Sequence, residues 1–147
     1  MAISKKSEYA LRAIFELAYR NSGGPVKIQA IAEAQAIPSK FLEAIMSDLK
    51  HAGFVESRRG SDGGYVLVKD VQELFVGDVL QAVQGQLSVG PGNGEKGHRK
   101  YRAGDAAFAQ YWQKVDKAIQ SVLADTTFSD LVESERANSE PVLDYCI

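Results

Sequence analysis

Apolar residues recur at a helical spacing over residues 7–20, where Ala10, Leu11, Ile14, Leu17 and Ala18 form one stripe. The run Asn21-Ser22-Gly23-Gly24-Pro25 stops that helix, because two glycines and a proline cannot continue it. A second, shorter periodic segment spans about Lys27 to Gln35 and is expected to bury Ile28, Ile31, Ala32 and Ala34 or a neighbour. The turn Ala36-Ile37-Pro38-Ser39 follows, with Pro38 disfavouring helix at Ile37 and Ser39 expected as the next N-cap. A third helix is predicted over 39–51, with Phe41, Leu42, Ile45, Met46 and Leu49 inward and Lys40, Glu43, Ser47, Lys50 and His51 outward. Gly53 ends it.

The period then changes to that of strands. Phe54 to Arg58 and Tyr65 to Val68 are two short β-type runs joined by Arg59-Gly60-Ser61-Asp62-Gly63-Gly64, a composition that turns require. A hairpin is the natural reading. Val76 to Gln84 predicts a short helix on Val79, Leu80 and Val83, closed by Gly85. Residues 88–105 hold five glycines, one proline and no periodicity, so a flexible loop is expected there. Beyond it, Phe108, Tyr111, Trp112, Val115, Ala118, Ile119, Val122 and Leu123 follow a repeat of three and four along one long helix. The expected layout is a front domain at 1–70, a linking helix at 71–87 and a loop at 88–105. The long helix and its end fill 106–132, and an acidic tail fills 133–147.

Composition narrows the class. Apolar residues at 45% and charged residues at 24% argue against general disorder. No apolar run is long enough to span a membrane, and the first residues lack the apolar stretch of a secretory signal. One cysteine, Cys146, leaves no internal disulfide, which fits a reducing cytoplasm. The net charge of −2 conceals an asymmetry. Residues 1–70 carry ten Lys or Arg against eight Asp or Glu, and residues 71–147 seven against eleven. A mildly basic front and an acidic back suit a DNA reader joined to a part that does not touch DNA.

The order of elements has a mechanical sense. Helix, short helix, tight turn, helix and hairpin make up a winged helix-turn-helix, mainly α with a small β-hairpin wing. Its first helices form a small core that holds the third helix at an angle suited to a major groove about 12 Å wide. Ser39, Lys40, Glu43 and Ser47 would then face the groove, the hydroxyls and Lys40 toward phosphates or base edges and Glu43 toward a cytosine amino group. Otherwise they form a solvated helix face. In the hairpin, Arg58 and Arg59 stand beside Gly60, Gly63 and Gly64, so the backbone can approach a phosphate ridge while an arginine enters the minor groove. An ordinary surface hairpin is the alternative.

These segments resemble a known family, the Rrf-two (BadM-like) winged-helix regulators. The likeness rests on Tyr9-Ala10-Leu11-Arg12-Ala13, on Ile31-Ala32-Glu33, and on Phe41-Leu42-Glu43 ahead of Leu49. Its strongest part is Ala52-Gly53-Phe54-Val55 through Arg59-Gly60-Ser61-Asp62-Gly63-Gly64-Tyr65. It continues in Val76-Gly77-Asp78-Val79-Leu80 and in Leu123 to Leu131, so it covers about residues 1–132. The resemblance implies a homodimer whose long C-terminal helices pair, so that two recognition helices read a palindromic operator in double-stranded DNA. It further implies that Arg59 reaches the DNA and that Ser39, Lys40 and Phe41 open the recognition helix. For the dimer, Trp112 is expected at the centre of a stripe with Phe108, Val115, Ile119 and Val122.

The chain departs from many members of that family, which hold an iron–sulfur cluster through three cysteines in the loop before the dimerisation helix. Residues 88–105 contain no cysteine, and cluster ligation generally needs thiolates, so no cofactor is expected. His51 and His98 read as solvent-exposed rather than as ligands. Lys96, His98, Arg99, Lys100 and Arg102 make the loop basic, suited to an anion or a DNA flank, or else simply solvated. The tail ends Leu143-Asp144-Tyr145-Cys146-Ile147 and is similar to the peptide with which serine acetyltransferase docks in cysteine synthase. It also resembles the tail of the cluster-free, cysteine-metabolism branch of the family. Tyr145, Cys146 and Ile147 are therefore candidate partner-binding residues, a frayed apolar end being the alternative; no nearby cation marks Cys146 as a redox thiol.

An enzyme is not expected, since there is no Ser/His/Asp order, phosphate loop or metal spacing, and the wing glycines follow a strand without opening a helix. The competing class is a protein-interaction module that docks its tail or long helix on a partner and binds little DNA.

Overall fold

The computed structural model describes residues 2–20, 23–91 and 100–139. In chain order it contains α1 (Lys5–Arg20), α2 (Ile28–Gln35), α3 (Ser39–His51), β1 (Val55–Arg58), β2 (Gly64–Leu67), α4 (Val76–Gln84), α5 (Asp105–Asp125) and α6 (Phe128–Ser139). Ser4 starts α1 by accepting the Ser7 N–H on its hydroxyl at 3.1 Å, a side-chain N-cap. The apolar stripe of α1 is then buried through Ala10, Ala13, Ile14, Leu17 and Ala18. Against it lie Ile31 and Ala32 of α2 and Leu42, Ile45, Met46 and Leu49 of α3. Ile28 is only partly buried and Ala34 is exposed, so the short helix buries a narrower face than its sequence suggests, with Ile37 of the turn completing it.

Antiparallel β1 and β2 pair in a single register, from Val55 with Leu67 to Arg58 with Gly64. Val26 extends the hairpin by exchanging both backbone hydrogen bonds with Tyr65, at 3.0 and 2.8 Å. The wing is thereby tied to the segment that precedes α2.

The core continues past residue 70. Leu74, Val79, Phe128 and Val132 belong to the same buried cluster as the helices of the front half. Residues 71–76 run beside the α5–α6 junction, where Phe128 N–H donates to Leu74 O at 2.9 Å and Val76 N–H to Thr126 O at 3.0 Å. The expected boundary at residue 70 is therefore a boundary of sequence pattern only. The stretch expected to be an acidic tail from 133 onward is helical as far as Ser139, because Phe128 and Val132 anchor it on the core. Thr127 and Asp130 cap this helix reciprocally, Thr127 N–H to Asp130 Oδ2 at 3.0 Å and Asp130 N–H to Thr127 Oγ1 at 3.1 Å.

Helix α5 is different in kind, for none of its residues is fully buried. One side rests on the body: Asp116 Oδ1 accepts the Val89 N–H at 2.6 Å and Gln120 donates to Leu87 O at 2.8 Å. Gly77 lets α4 and α5 approach, since a Cβ there would stand 2.8 Å from the Leu123 carbonyl oxygen. Gly77→Val is expected to lower stability by about 1–3 kcal/mol through this overpacking. Hydrogen exchange should then accelerate over 112–125 while α1 to α3 keep their protection.

Candidate nucleic-acid interface

Leu42, Ile45, Met46 and Leu49 fix α3 to the core from one side, so its other side is presented outward as one rigid face. Lys40, Phe41, Glu43, Ser47 and Lys50 are all exposed there. Phe41 had been expected in the core stripe, but it is 63% exposed and belongs to the outer face. Sequence spacing made the stripe too wide by one position. Phe41→Ala should change stability by no more than about 0.5 kcal/mol. Leu42→Ala should cost about 2–5 kcal/mol, and urea unfolding of the two variants checks the contrast.

Both ends of α3 are set by backbone geometry. Ser39 was expected as its N-cap, yet Ser39 is already the first helical residue and the cap position falls to Pro38, whose φ of −58° suits a helix start. With no side-chain cap bond and no acidic residue in the first turn, the leading N–H groups of α3 stay open next to Lys40. A cation in the first turn opposes the helix dipole, an arrangement that an approaching phosphate relieves. Before the helix, Ala36 turns the chain in the left-handed region at φ 52°. After it, Gly53 N–H bonds Lys50 O at 3.1 Å and Phe54 N–H bonds Leu49 O at 3.0 Å. That pair is a Schellman closure, which favours a residue with φ of +86° such as Gly53.

Side chains that carry no sequence signal of their own lock the helix-turn-helix in place. Glu16, on the buried side of α1, accepts from Gln35 Nε2 at 2.7 Å and from Arg20 Nε at 2.9 Å. Arg12 donates to Gln35 Oε1 at 3.2 Å, so the end of α2 is held on α1 from two directions. Lys6 pairs with Asp48 of α3 at 2.6 Å, and Lys50 donates to Ser57 of β1 at 2.8 Å. The available hint was Glu16 lying one position from the α1 stripe, four residues ahead of Arg20.

In the wing, Arg58, Arg59 and Gly60 are exposed, with Arg59 and Gly60 at the tip. Among the described residues, no carboxylate lies within salt-bridge distance of Lys40, Arg58 or Arg59. Gly63 and Gly64 have structural reasons to be glycine. A Cβ on Gly63 would sit 2.3 Å from Arg58 O, and one on Gly64 2.4 Å from Val26 O. Tyr65 is half-buried, its ring packed against the core. Ser39, Lys40, Phe41, Glu43 and Ser47 thus make the candidate face on α3, with Arg59 and Gly60 at the wing tip. Arg58 lines a cleft with Glu56, Val26 and Tyr65 on the other face of the hairpin, and Gly63, Gly64 and Tyr65 shape the wing.

The sequence profile of the family described as "Rrf2: Iron-dependent Transcriptional regulator" matches residues 3–134. The chain belongs to the Rrf2 family. Its Rrf2 relatives include CymR of Bacillus subtilis, 30% identical over 99% of both chains. IscR of Serratia proteamaculans is 32% identical over 92% of this chain and 81% of its own length. The solved structure of CymR, described as the global cysteine regulator of B. subtilis, superposes with a TM-score of 0.77. It covers 91% of this chain and 98% of that one at 30% identity. The chain is a winged-helix transcriptional regulator of the Rrf2 type that binds DNA, and it is not an enzyme. No helix among the described residues is long and apolar enough to cross a membrane.

The residues expected to form the dimer lie on two sides of α5. Phe108 and Val122 are exposed, at 64% and 65%, and Tyr111 joins them at 55%. Trp112 instead turns toward its own chain, where a Cβ on Gly90 would meet its Cγ at 3.0 Å. Val115 and Ile119 are half-buried. The outward stripe is better written Phe108, Tyr111, Val115, Ala118 and Val122, still at alternating steps of three and four. Tyr145, Cys146 and Ile147 lie outside the described residues.

Proposed function

We propose that this Rrf2 regulator acts in the cytoplasm as a cluster-free homodimeric repressor that reads a palindromic operator, and that its targets belong to sulfur and cysteine metabolism. The observation that carries the DNA-reading part is the rigid outer face of α3, with Lys40 at an uncapped helix start and Arg58 and Arg59 on the adjacent wing. The homodimer is supported by α5, a helix of 21 residues with no buried side chain and an apolar outer stripe. The absence of a cluster is supported by a sequence with one cysteine, at position 146, and none between 88 and 105. Cysteine metabolism is supported by the full-length likeness to CymR.

Within this proposal, docking of Tyr145, Cys146 and Ile147 on a cysteine synthase rests on the sequence alone. A variant lacking Tyr145–Ile147 that still bound the enzyme as the parent does would remove it.

The test is selection of genomic fragments by the purified protein. Recovery of two inverted half-sites about one or two helical turns apart supports a symmetric dimer. Genes of sulfur metabolism beside those sites support the regulatory part. A single half-site contradicts the dimer, and unrelated neighbouring genes contradict the metabolic assignment.

A further inference from the structure

The wing has a second face. Side chains along a strand alternate, so Ser57 reaches Lys50 of α3 while Glu56 and Arg58 point the opposite way. Both line a cleft of about 700 Å³, together with Leu17 of α1, Gly23 and Gly24 before α2, and Lys69 after β2. That volume lies in the range of small-molecule pockets. A Cβ on Gly23 or Gly24 would meet nothing within 4 Å, so bare backbone borders open space there. Across the strand pair from Arg58 stands Gly64, which has no side chain to cover it.

The charges in this cleft are unmatched. Glu56 and Arg58 stand two residues apart on one strand face, at a spacing of about 6.7 Å along the strand. Among the described residues, neither they nor Lys69 have an opposite charge within salt-bridge distance. Asp70, the other charged residue of the lining, is engaged in its own turn, where Oδ1 accepts the Gln72 N–H at 3.1 Å. One carboxylate and two cations are therefore left around a shared space. A ligand with only negative charge is repelled by Glu56, and one with only positive charge by Arg58 and Lys69. A molecule with both charges satisfies all three.

We propose that this cleft binds a small zwitterion of the amino-acid or dipeptide class and that its occupancy lowers operator affinity. The ligand carboxylate is held by Arg58 and Lys69, charge-assisted and bidentate on the guanidinium, and its ammonium by Glu56. The coupling to DNA follows from the strand. Ser57, between the two ligand-holding residues, is gripped by Lys50 of α3, and Arg59 at the wing tip follows Arg58 directly. Val26 and Tyr65, whose backbone bonds tie the wing to the segment before α2, line the same cleft. A bound carboxylate also neutralises a cation next to Arg59, which weakens attraction to phosphates. The effector role rests on the operator reading above, whereas the binding site does not.

The test follows amide chemical shifts of the isotope-labelled full chain as free amino acids, glycylglycine or alanylalanine are added. Propionate and ethylamine serve as the single-charge counterparts of alanine. The expected result is saturable shifts at residues 23–26, 56–58 and 64–70 by about 10 mM, with α5 unmoved. At least one zwitterion produces them and neither counterpart does; whether free amino acids or dipeptides bind identifies the source. Arg58→Gln and Glu56→Gln should each weaken binding roughly tenfold or more, and both residues are exposed, so the fold should persist. Fluorescence anisotropy should then show operator affinity falling roughly threefold or more with saturating ligand, and no response to ligand in Glu56→Gln. No shifts from any zwitterion, or equal shifts from propionate, would overturn the site. Saturation without a change in operator affinity would overturn the effector role and leave the operator reading standing. A ligand-free protein that bound no operator would remove that reading and the effector role together, and the shifts alone would then decide the site.

Discussion

Phe128→Ala is expected to destabilise the chain by about 3–5 kcal/mol, the usual cost of removing a fully buried phenyl ring. Phe128 has no exposed surface and is the largest fully buried side chain among the described residues. It stands at the start of α6, where its own N–H bonds Leu74 O, so it ties the end of the chain to the segment before α4. A domain of this size has about 5–15 kcal/mol in total, so the variant should lose a large part of it. Urea unfolding should show a much lower midpoint. If residues 1–70 folded independently of α6, the winged domain would keep its midpoint and only the later helices would loosen. That outcome would refute the single core described above.

The second large effect lies on the DNA side. Arg59→Ala should weaken operator binding by about 1–3 kcal/mol, roughly 5- to 150-fold, and reduce the salt slope by about one. The side chain is exposed at the wing tip and has no carboxylate within salt-bridge distance among the described residues, so its loss should leave the fold intact. Fluorescence anisotropy on the selected operator reads the affinity, and thermal unfolding controls for the fold. An Arg59→Ala protein that bound as the parent does would show that the wing stays clear of the DNA.

The front of this fold was readable in the sequence because each element carries both a period and a punctuation mark. Gly23-Gly24-Pro25, Pro38 and Gly53 bound the three helices, and the glycine-rich stretch at 60–64 marks the hairpin. The back was less readable. Phe128, Leu131, Val132 and Ala137 are the only apolar residues of the otherwise polar α6, and its stability comes from packing against α1, which no local window reveals. The capping pair Thr127 and Asp130 was the local signal available there. Helix α5 was recognised, but its apolar positions serve two surfaces, and spacing alone did not show that Trp112 also packs beside Gly90 of its own chain. In the candidate interface, the polar face of α3 and the wing arginines were legible as residue types. Phe41 was placed on both faces, and Gly63 and Gly64 owe their identity to the approach of Arg58 and Val26 backbone, contacts that only the folded chain displays.

The central claim is that the face built from α3 and the wing grips the phosphate backbone as a dimer on DNA. The most direct measurement is the affinity for the selected operator as a function of salt. Phosphate contacts release counterions, so six or more of them across the dimer should lower affinity by about 10³ or more between 50 and 200 mM salt. A flat dependence, with binding of a protein partner undiminished, would contradict that claim and favour a module that has given up DNA for protein docking.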